Sequence, residues 1–141
     1  MSESIMSLHY DVCADDFKAA GEASSDVKNK LKVMGFPPDI VRRVAIAMYE
    51  GEINMVIHAN GGTIKVLVSD DNIRIILADT GPGIPDVEKA MQQGYSTAPE
   101  EVRSLGFGAG MGLPNMKKYS DDMKIDTIIG SGTTVTMDIH M

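Results

Sequence analysis

Two pairs of short segments with alternating apolar residues most constrain the fold of this chain. In the first pair, Thr63 to Val68 and Ile73 to Asp79 are joined by a tight turn at Asp71-Asn72. In the second pair, Lys124 to Ile129 and Thr133 to His140 flank a Gly-Ser-Gly turn. Alternation of this kind is typical of β-strands, and strands joined so closely form antiparallel hairpins. The alternating segments therefore predict two β-hairpins.

The segments around these hairpins predict the order β, α, α, β, β, α, loop, α, β, β. They comprise a strand over 6–12, a helix capped by Asp15 and Asp16 that runs to about Met34, a helix from Pro38 to about Ala59, and helices over 85–93 and 113–122. Because strands and helices do not strictly alternate, this order argues against a doubly wound parallel sheet. We expect an α+β two-layer sandwich, with a mixed, mostly antiparallel sheet and helices on one face. Core positions are expected on the first two helices at Phe17, Ala20, Val27, Leu31, Met34, Ile40, Val41, Val44, Met48 and Val56.

Composition limits the classes of function. The 141 residues, 43% of them hydrophobic, suit a single domain over 1–141. A formal net charge of −7 makes nucleic acid and anionic membrane poor partners. Cys13 is the single cysteine, so no internal disulfide can form, and no basic segment typical of a signal peptide precedes it. We expect a cytoplasmic protein that binds neither nucleic acid nor membrane.

Eight of the 14 glycines fall in three clusters at junctions between predicted segments. The clusters are Gly81 and Gly83; Gly106, Gly108, Gly110 and Gly112; and Gly130 and Gly132. The second cluster opens into a helix, and backbone N–H groups of such a loop can bind an anion together with the helix N-terminus. Its spacing is neither that of the Rossmann motif nor that of a Walker loop. The alternative is a flexible loop without a ligand.

The helix from Pro38 carries Glu50, Asn54 and His58 at intervals of four residues, which places them along one face. Beside a phosphate site, a glutamate can act as a general base and an asparagine can bind a hard cation. A solvated stripe or a hydrogen-bonded pair one turn apart is the alternative for Glu50 and Asn54. A structural role is the alternative for His58.

Asp79 ends a strongly apolar strand and is followed by a Gly-Pro-Gly sequence. The glycines allow a ligand to approach the backbone closely, and the carboxylate can accept a hydrogen bond from an exocyclic amine such as that of adenine. The alternative is an aspartate that caps the turn.

Taken together, these elements resemble the N, G1, G2 and G3 boxes of the GHKL ATPase superfamily, in the order of that family. The matching motifs are Glu50-x-x-x-Asn54, Asp79-x-Gly81-x-Gly83-Ile84, the alternating glycines that end in Gly112-Leu113, and Gly130-x-Gly132-Thr133. Within that superfamily, the small size of the chain points to the branch of anti-sigma factor and stressosome-type switch serine/threonine kinases. The sequence from Gly112 to Lys117 is similar to that of this branch.

The resemblance implies a role for each matching residue. Asn54 would coordinate Mg²⁺, and Glu50 would act as the catalytic base. The remaining residues would bind ATP: Asp79, Gly81, Gly83, Ile84, Gly106, Gly108, Gly110, Met111, Gly112, Leu113 and Thr133. The segment 94–110 would be the ATP lid. Lys117 and Lys118 would lie near the phosphates or form a solvated helix face.

The resemblance further implies a kinase that transfers the γ-phosphate of ATP to a serine or threonine of a STAS-type antagonist. A sigma factor or other regulator would be a second partner, and a homodimer is possible. Two alternatives remain: a non-catalytic module that sequesters a partner in response to ATP, and a stand-alone catalytic domain of histidine-kinase type. The first helix lacks an arginine where the family often uses a basic residue to meet its partner, so the partner is the least constrained inference.

Overall fold

The computed structural model describes residues 6–12, 21–58, 61–81 and 112–141. The strands are β1 (Met6–Val12), β2 (Gly62–Val68), β3 (Asn72–Asp79), β4 (Asp122–Ile128) and β5 (Gly132–His140), and the helices are α1 (Glu22–Val33), α2 (Pro38–His58) and α3 (Gly112–Tyr119). The predicted helix over 85–93 and the predicted lid over 94–110 lie outside the described residues.

The five strands form one sheet in the order β1-β2-β3-β5-β4, and all four pairings are antiparallel. The apolar strand β3 lies at the centre, as its nearly continuous apolar residues predict. Since side chains alternate across a strand, the register places Ile64, Leu77 and Val135 side by side on one face. Both predicted hairpins are present.

One face of the sheet packs against the helices, and the opposite face is largely exposed. The buried face is built from Ile64, Val66, Val68, Ile73, Ile75, Leu77, Val135, Met137 and Ile139. The helices cover it with Val27, Leu31, Val44, Met48 and Met116, among others. Burial of this apolar surface is the main stabilising contribution. The predicted two-layer α+β fold is confirmed, and the sheet of the described residues is wholly antiparallel instead of mixed.

The boundaries of α1 correct two predictions. A single first helix running through Gly21 is wrong, because Gly21 has a φ of 98° and α1 begins at Glu22. Asp15 and Asp16, the predicted cap, lie outside the described residues, and the N–H groups of Ala23 and Ser24 in the first turn of α1 donate to Glu52 of α2. Met34 is 40% exposed instead of buried, because it lies in the turn after α1.

Two further features concern the ends of helices. The prediction that Gly35 ends the first helix is confirmed: it has a φ of 86°, and the N–H groups of Gly35 and Phe36 donate to Lys32 and Leu31. The last helix ends at Tyr119 and not near Asp122, because the N–H of Asp121 already donates to the carbonyl of Asp138 in β5. Among the described residues, no helix has the length and apolar character needed to cross a membrane.

Candidate functional site

Helix α2 positions Glu50 and Asn54 one turn apart on the side that faces α3. The helix begins at Pro38, whose ring suits the first helical position, and Val44, Ala47 and Met48 fix its rotation by burial in the core. Glu50 and Asn54 are both partly buried at the edge of this packed surface. Their predicted position on one helical face is confirmed. The side chain of His58, at the end of α2, lies outside the described part of the structure.

Glu50 contacts α3 through a hydrogen bond from Asn115. The Nδ2 of Asn115 donates to Oε1 of Glu50 at 3.3 Å. Burial raises the pKa of Glu50 above its usual range, and the hydrogen bond from Asn115 opposes that rise. A carboxylate with a raised pKa accepts a proton more readily than an exposed one, so this environment suits a general base.

Asn54 contacts Met116, the residue that follows Asn115 in α3. Its Nδ2 lies 3.8 Å from Sδ of Met116, which is 1% exposed and belongs to the core. With the amide nitrogen directed at the thioether, the amide oxygen is the atom left to bind a ligand. An amide oxygen is a suitable ligand for a hard cation.

Asp79 lies at the end of β3, where β5 begins. Its Oδ1 accepts hydrogen bonds from the backbone N–H of Gly81 at 2.9 Å and of Thr133 at 3.1 Å. Two donors on one oxygen fix the orientation of the carboxylate and leave Oδ2 for a further donor. The hydrogen bond to Gly81 is also what a turn-capping aspartate makes, so both interpretations of Asp79 are compatible with the geometry.

The approach of β5 to Asp79 requires glycine at position 132. A Cβ on Gly132 would lie 2.1 Å from the carbonyl oxygen of Asp79, and its φ of 131° is unfavourable for other residues. The next residue, Thr133, is buried, and its hydroxyl lies 2.9 Å from that of Thr127. The structure therefore brings Asp79, Gly81 and Thr133 together.

The Glu50–Asn54 group and the Asp79 group are linked through Leu77. Leu77 precedes Asp79 by two positions and packs against Gly51 of α2. A Cβ on Gly51 would lie 2.5 Å from Leu77 Cδ2 and 3.2 Å from Met116 Cε. The close packing of Gly51 on Leu77 and Met116 thus connects the two groups through the core.

The other predicted site residues are only partly described. Gly112 begins α3, and Leu113 is 9% exposed, so its side chain packs in the core. The remaining residues lie outside the described part of the chain: Gly83, Ile84, Gly106, Gly108, Gly110 and Met111. Lys117 and Lys118 are exposed, which favours the solvated helix face that the sequence leaves open.

Three residues contact this site or support it although no sequence pattern predicts a role for them. Asn115 and Met116 contact Glu50 and Asn54, and their positions after the glycine cluster are the signal that could have found them. Glu52 is 3% exposed and accepts hydrogen bonds from the backbone of α1. A glutamate between Gly51 and Ile53 on a packed helix is the corresponding signal in the sequence.

Comparison with known protein families gives one match over most of the chain. A family model described as "Histidine kinase-, DNA gyrase B-, and HSP90-like ATPase" matches residues 35–141. This range contains every residue that the sequence predicts for the site.

Curated relatives match over a similar length. Serine/threonine-protein kinase RsbT of Bacillus subtilis is 32% identical over 112 residues, covering 77% of this chain and 78% of that protein. An anti-sigma F factor of Caldanaerobacter subterraneus is 37% identical over 99 residues, covering 67% of this chain and 66% of that protein.

Solved structures share the fold at low identity. The RsbU and RsbW domains of Rv1364c from Mycobacterium tuberculosis match with a TM-score of 0.63 and 17% identity, over 96% of this chain and 32% of that one. The SiaB-SiaC complex from Pseudomonas aeruginosa matches with a TM-score of 0.63 and 12% identity, over 94% of this chain and 88% of that one.

Proposed function

The chain belongs to the family of histidine kinase-, DNA gyrase B- and HSP90-like ATPases, and on this premise we propose that it is a protein serine/threonine kinase that acts as a regulatory switch. It binds ATP and transfers the γ-phosphate to a serine or threonine of a partner protein. The similarity to a serine/threonine kinase and to anti-sigma F factors, over two thirds or more of this chain, supports this activity.

The observation that carries the proposal is the environment of Glu50. Its carboxylate is partly buried, its pKa is raised by that burial, and Asn54 lies one turn further along the same helix. In the transfer, the hydroxyl oxygen of the partner attacks the γ-phosphorus and its proton passes to Glu50. The bond between the γ-phosphorus and the bridging oxygen breaks, and ADP leaves. A base of this kind contributes about 10²- to 10⁴-fold to the rate.

ATP is bound, in this proposal, from two sides. Asp79 accepts a hydrogen bond from the adenine amine with Oδ2, since Oδ1 already accepts from the backbone of Gly81 and Thr133. The backbone of Gly112, at the start of α3, meets the phosphates at a helix N-terminus. Further binding is assigned to residues that the structure does not describe, namely Gly83, Ile84, Gly106, Gly108, Gly110 and Met111.

The donor atoms fit Mg²⁺ as a metal bound together with the nucleotide. Within the described ranges, no group of three or more His, Cys, Asp or Glu residues could hold a metal ion. Asn54 offers one amide oxygen, and Mg²⁺ commonly combines one or two protein oxygens with phosphate oxygens and water. We assign Asn54 as that ligand; the ion, when bound, neutralises charge on the phosphates.

The partner in this proposal is a STAS-type antagonist whose serine or threonine hydroxyl reaches Glu50. A sigma factor or other regulator competes for the same chain, which functions as a single domain over 1–141 and can form a homodimer. We place the activity in the cytoplasm, where ATP is available. The anti-sigma factor names of the relatives support a protein partner of this kind.

The test is incubation of the purified chain with γ-labelled ATP, Mg²⁺ and STAS proteins encoded near its own gene. We expect label on the partner in a bond that survives acid, as expected for phosphoserine or phosphothreonine. Acid-labile label would indicate a histidine-kinase type of transfer. Binding of ATP without transfer to any candidate, together with ATP-dependent capture of the partner, would support the non-catalytic alternative.

A further inference from the structure

We propose that Asn115 is a positioning residue for the catalytic base, which holds Oε1 of Glu50 against α3 so that Oε2 takes the proton of the attacking hydroxyl. This inference rests on the proposed kinase function. It assigns the donor side chain that sets the orientation and the ionisation of the base.

The geometry separates the two oxygens of Glu50. The Nδ2 of Asn115 donates to Oε1 at 3.3 Å across the contact between α2 and α3. An N–H donor binds a carboxylate more strongly than a neutral carboxyl, so the bond favours the ionised form that a base needs. With Oε1 engaged, Oε2 is the oxygen left for the incoming proton.

Burial and Asn115 act on Glu50 in opposite directions. Partial burial raises the pKa of Glu50 and makes the carboxylate more basic, but it also disfavours the ionised form that a base needs. The hydrogen bond from Asn115 limits that rise. The two influences on the pKa of Glu50 thus partly offset each other.

Contacts other than that of Asn115 also hold α3 against α2. Arg43 of α2 donates through Nε to the carbonyl of Tyr119 at 3.3 Å and through Nη2 to Asp121 at 2.9 Å. Met116 and Leu113 anchor the same helix in the core. Loss of the Asn115 amide should therefore leave α3 in place and change mainly Glu50, which makes the substitution informative.

The experiment compares Asn115→Leu, Asn115→Asp and Arg43→Met with the unaltered chain. Two quantities are measured: the pH dependence of kcat for phosphotransfer, and the titration midpoint of the Glu50 carboxyl by ¹³C NMR of the nucleotide-free protein. The Glu50 signal is assigned by its absence in Glu50→Gln. Arg43→Met is the matched control, because it removes another polar contact between α2 and α3 without touching Glu50.

For Asn115→Leu, we expect the midpoint and the acidic limb of the kcat profile to move together to higher pH. We also expect kcat to fall about tenfold, short of the 10²- to 10⁴-fold loss on removing a base. Asn115→Asp should move both further, because two adjacent carboxyl groups titrate as a coupled pair. It also keeps the inference testable if the leucine variant does not fold. Arg43→Met should lower stability and leave the midpoint and the limb unmoved.

An unchanged Glu50 midpoint in the Asn115 variants, with transfer intact in the unaltered chain, would overturn the inference. So would a moved midpoint with an unmoved kcat profile, since the hydrogen bond would then have no role in the reaction. Absence of transfer by the unaltered chain is a separate result, which overturns the proposed function itself and this role with it.

Discussion

The cap that α2 provides for α1 yields a quantitative prediction. Glu52 is 3% exposed and accepts backbone hydrogen bonds from Gly21 at 2.9 Å, Ala23 at 3.3 Å and Ser24 at 3.1 Å. The residue before α1 is a glycine without a capping side chain. These N–H groups therefore depend on a carboxylate that is 28 to 31 positions away in the sequence.

Glu52→Gln keeps the shape of the side chain but turns one accepting oxygen into a donor that faces other donors. Hydrogen bonds to a charged group contribute about 1.5–3 kcal/mol each, and a buried donor without a partner costs about 1–3 kcal/mol. Loss of the favourable interaction with the helix dipole adds about 0.3–1 kcal/mol. Because these contributions overlap, we expect a loss of about 2–4 kcal/mol, a large share of the stability of a typical domain.

The assay is urea unfolding at 25 °C followed by circular dichroism, with hydrogen exchange at the Ser24 amide as a local probe. Glu22→Gln is the matched control: Glu22 is exposed in the first turn of the same helix, so its loss should cost at most about 1 kcal/mol. Equal, small losses in the two variants, with an unchanged exchange rate at Ser24, would refute the capping role of Glu52.

Three further predictions concern the sheet and the nucleotide. Gly132→Ala should lower the free energy of unfolding by at least about 2 kcal/mol, because the added Cβ would meet the Asp79 carbonyl. Gly130→Ala should lower it less, since an added Cβ there meets nothing within 4 Å. Equal urea midpoints for the two variants would contradict this prediction. Asp79→Asn should weaken ATP binding measured by calorimetry, and an unchanged affinity would remove Asp79 from the adenine site. The hydrogen bond to Asp122 raises the pKa of His140. The stability that this bond gives the folded protein is therefore complete below the unfolded pKa of His140, about 6.5, and is lost as pH rises through its folded pKa. His140→Asn should flatten the fall in urea midpoint over that range, and an unaltered slope would exclude His140 as its source.

Most of the sheet and α2 could be predicted because local patterns determine them. The alternation in β2 and β5 fixes which face is buried, and the apolar residues of β3 identify the central strand. The start of α1 could not be predicted, since its cap comes from Glu52 on another helix. Met34 was placed wrongly because the helical period was extended one residue past the end of the helix.

The candidate site shows the same division. Glu50, Asn54 and Asp79 were predicted from their spacing and from the order of the motifs, and the structure groups Glu50 with Asn54 and Asp79 with Thr133. Asn115 and Met116 were not predicted, because their contacts with α2 depend on how two helices cross, and no sequence period encodes that. Their residue types acquire a role only once α3 lies against Glu50 and Asn54.

The most direct test of Glu50 as the base of a kinase measures two properties of Glu50→Gln side by side. One is ATP affinity, by calorimetry in the presence of Mg²⁺; the other is transfer of label from γ-labelled ATP to the partner's serine or threonine. If Glu50 is the base, ATP affinity stays close to that of the unaltered chain and transfer falls by about 10²- to 10⁴-fold. Transfer at an unchanged rate would contradict the assignment of Glu50 as the base.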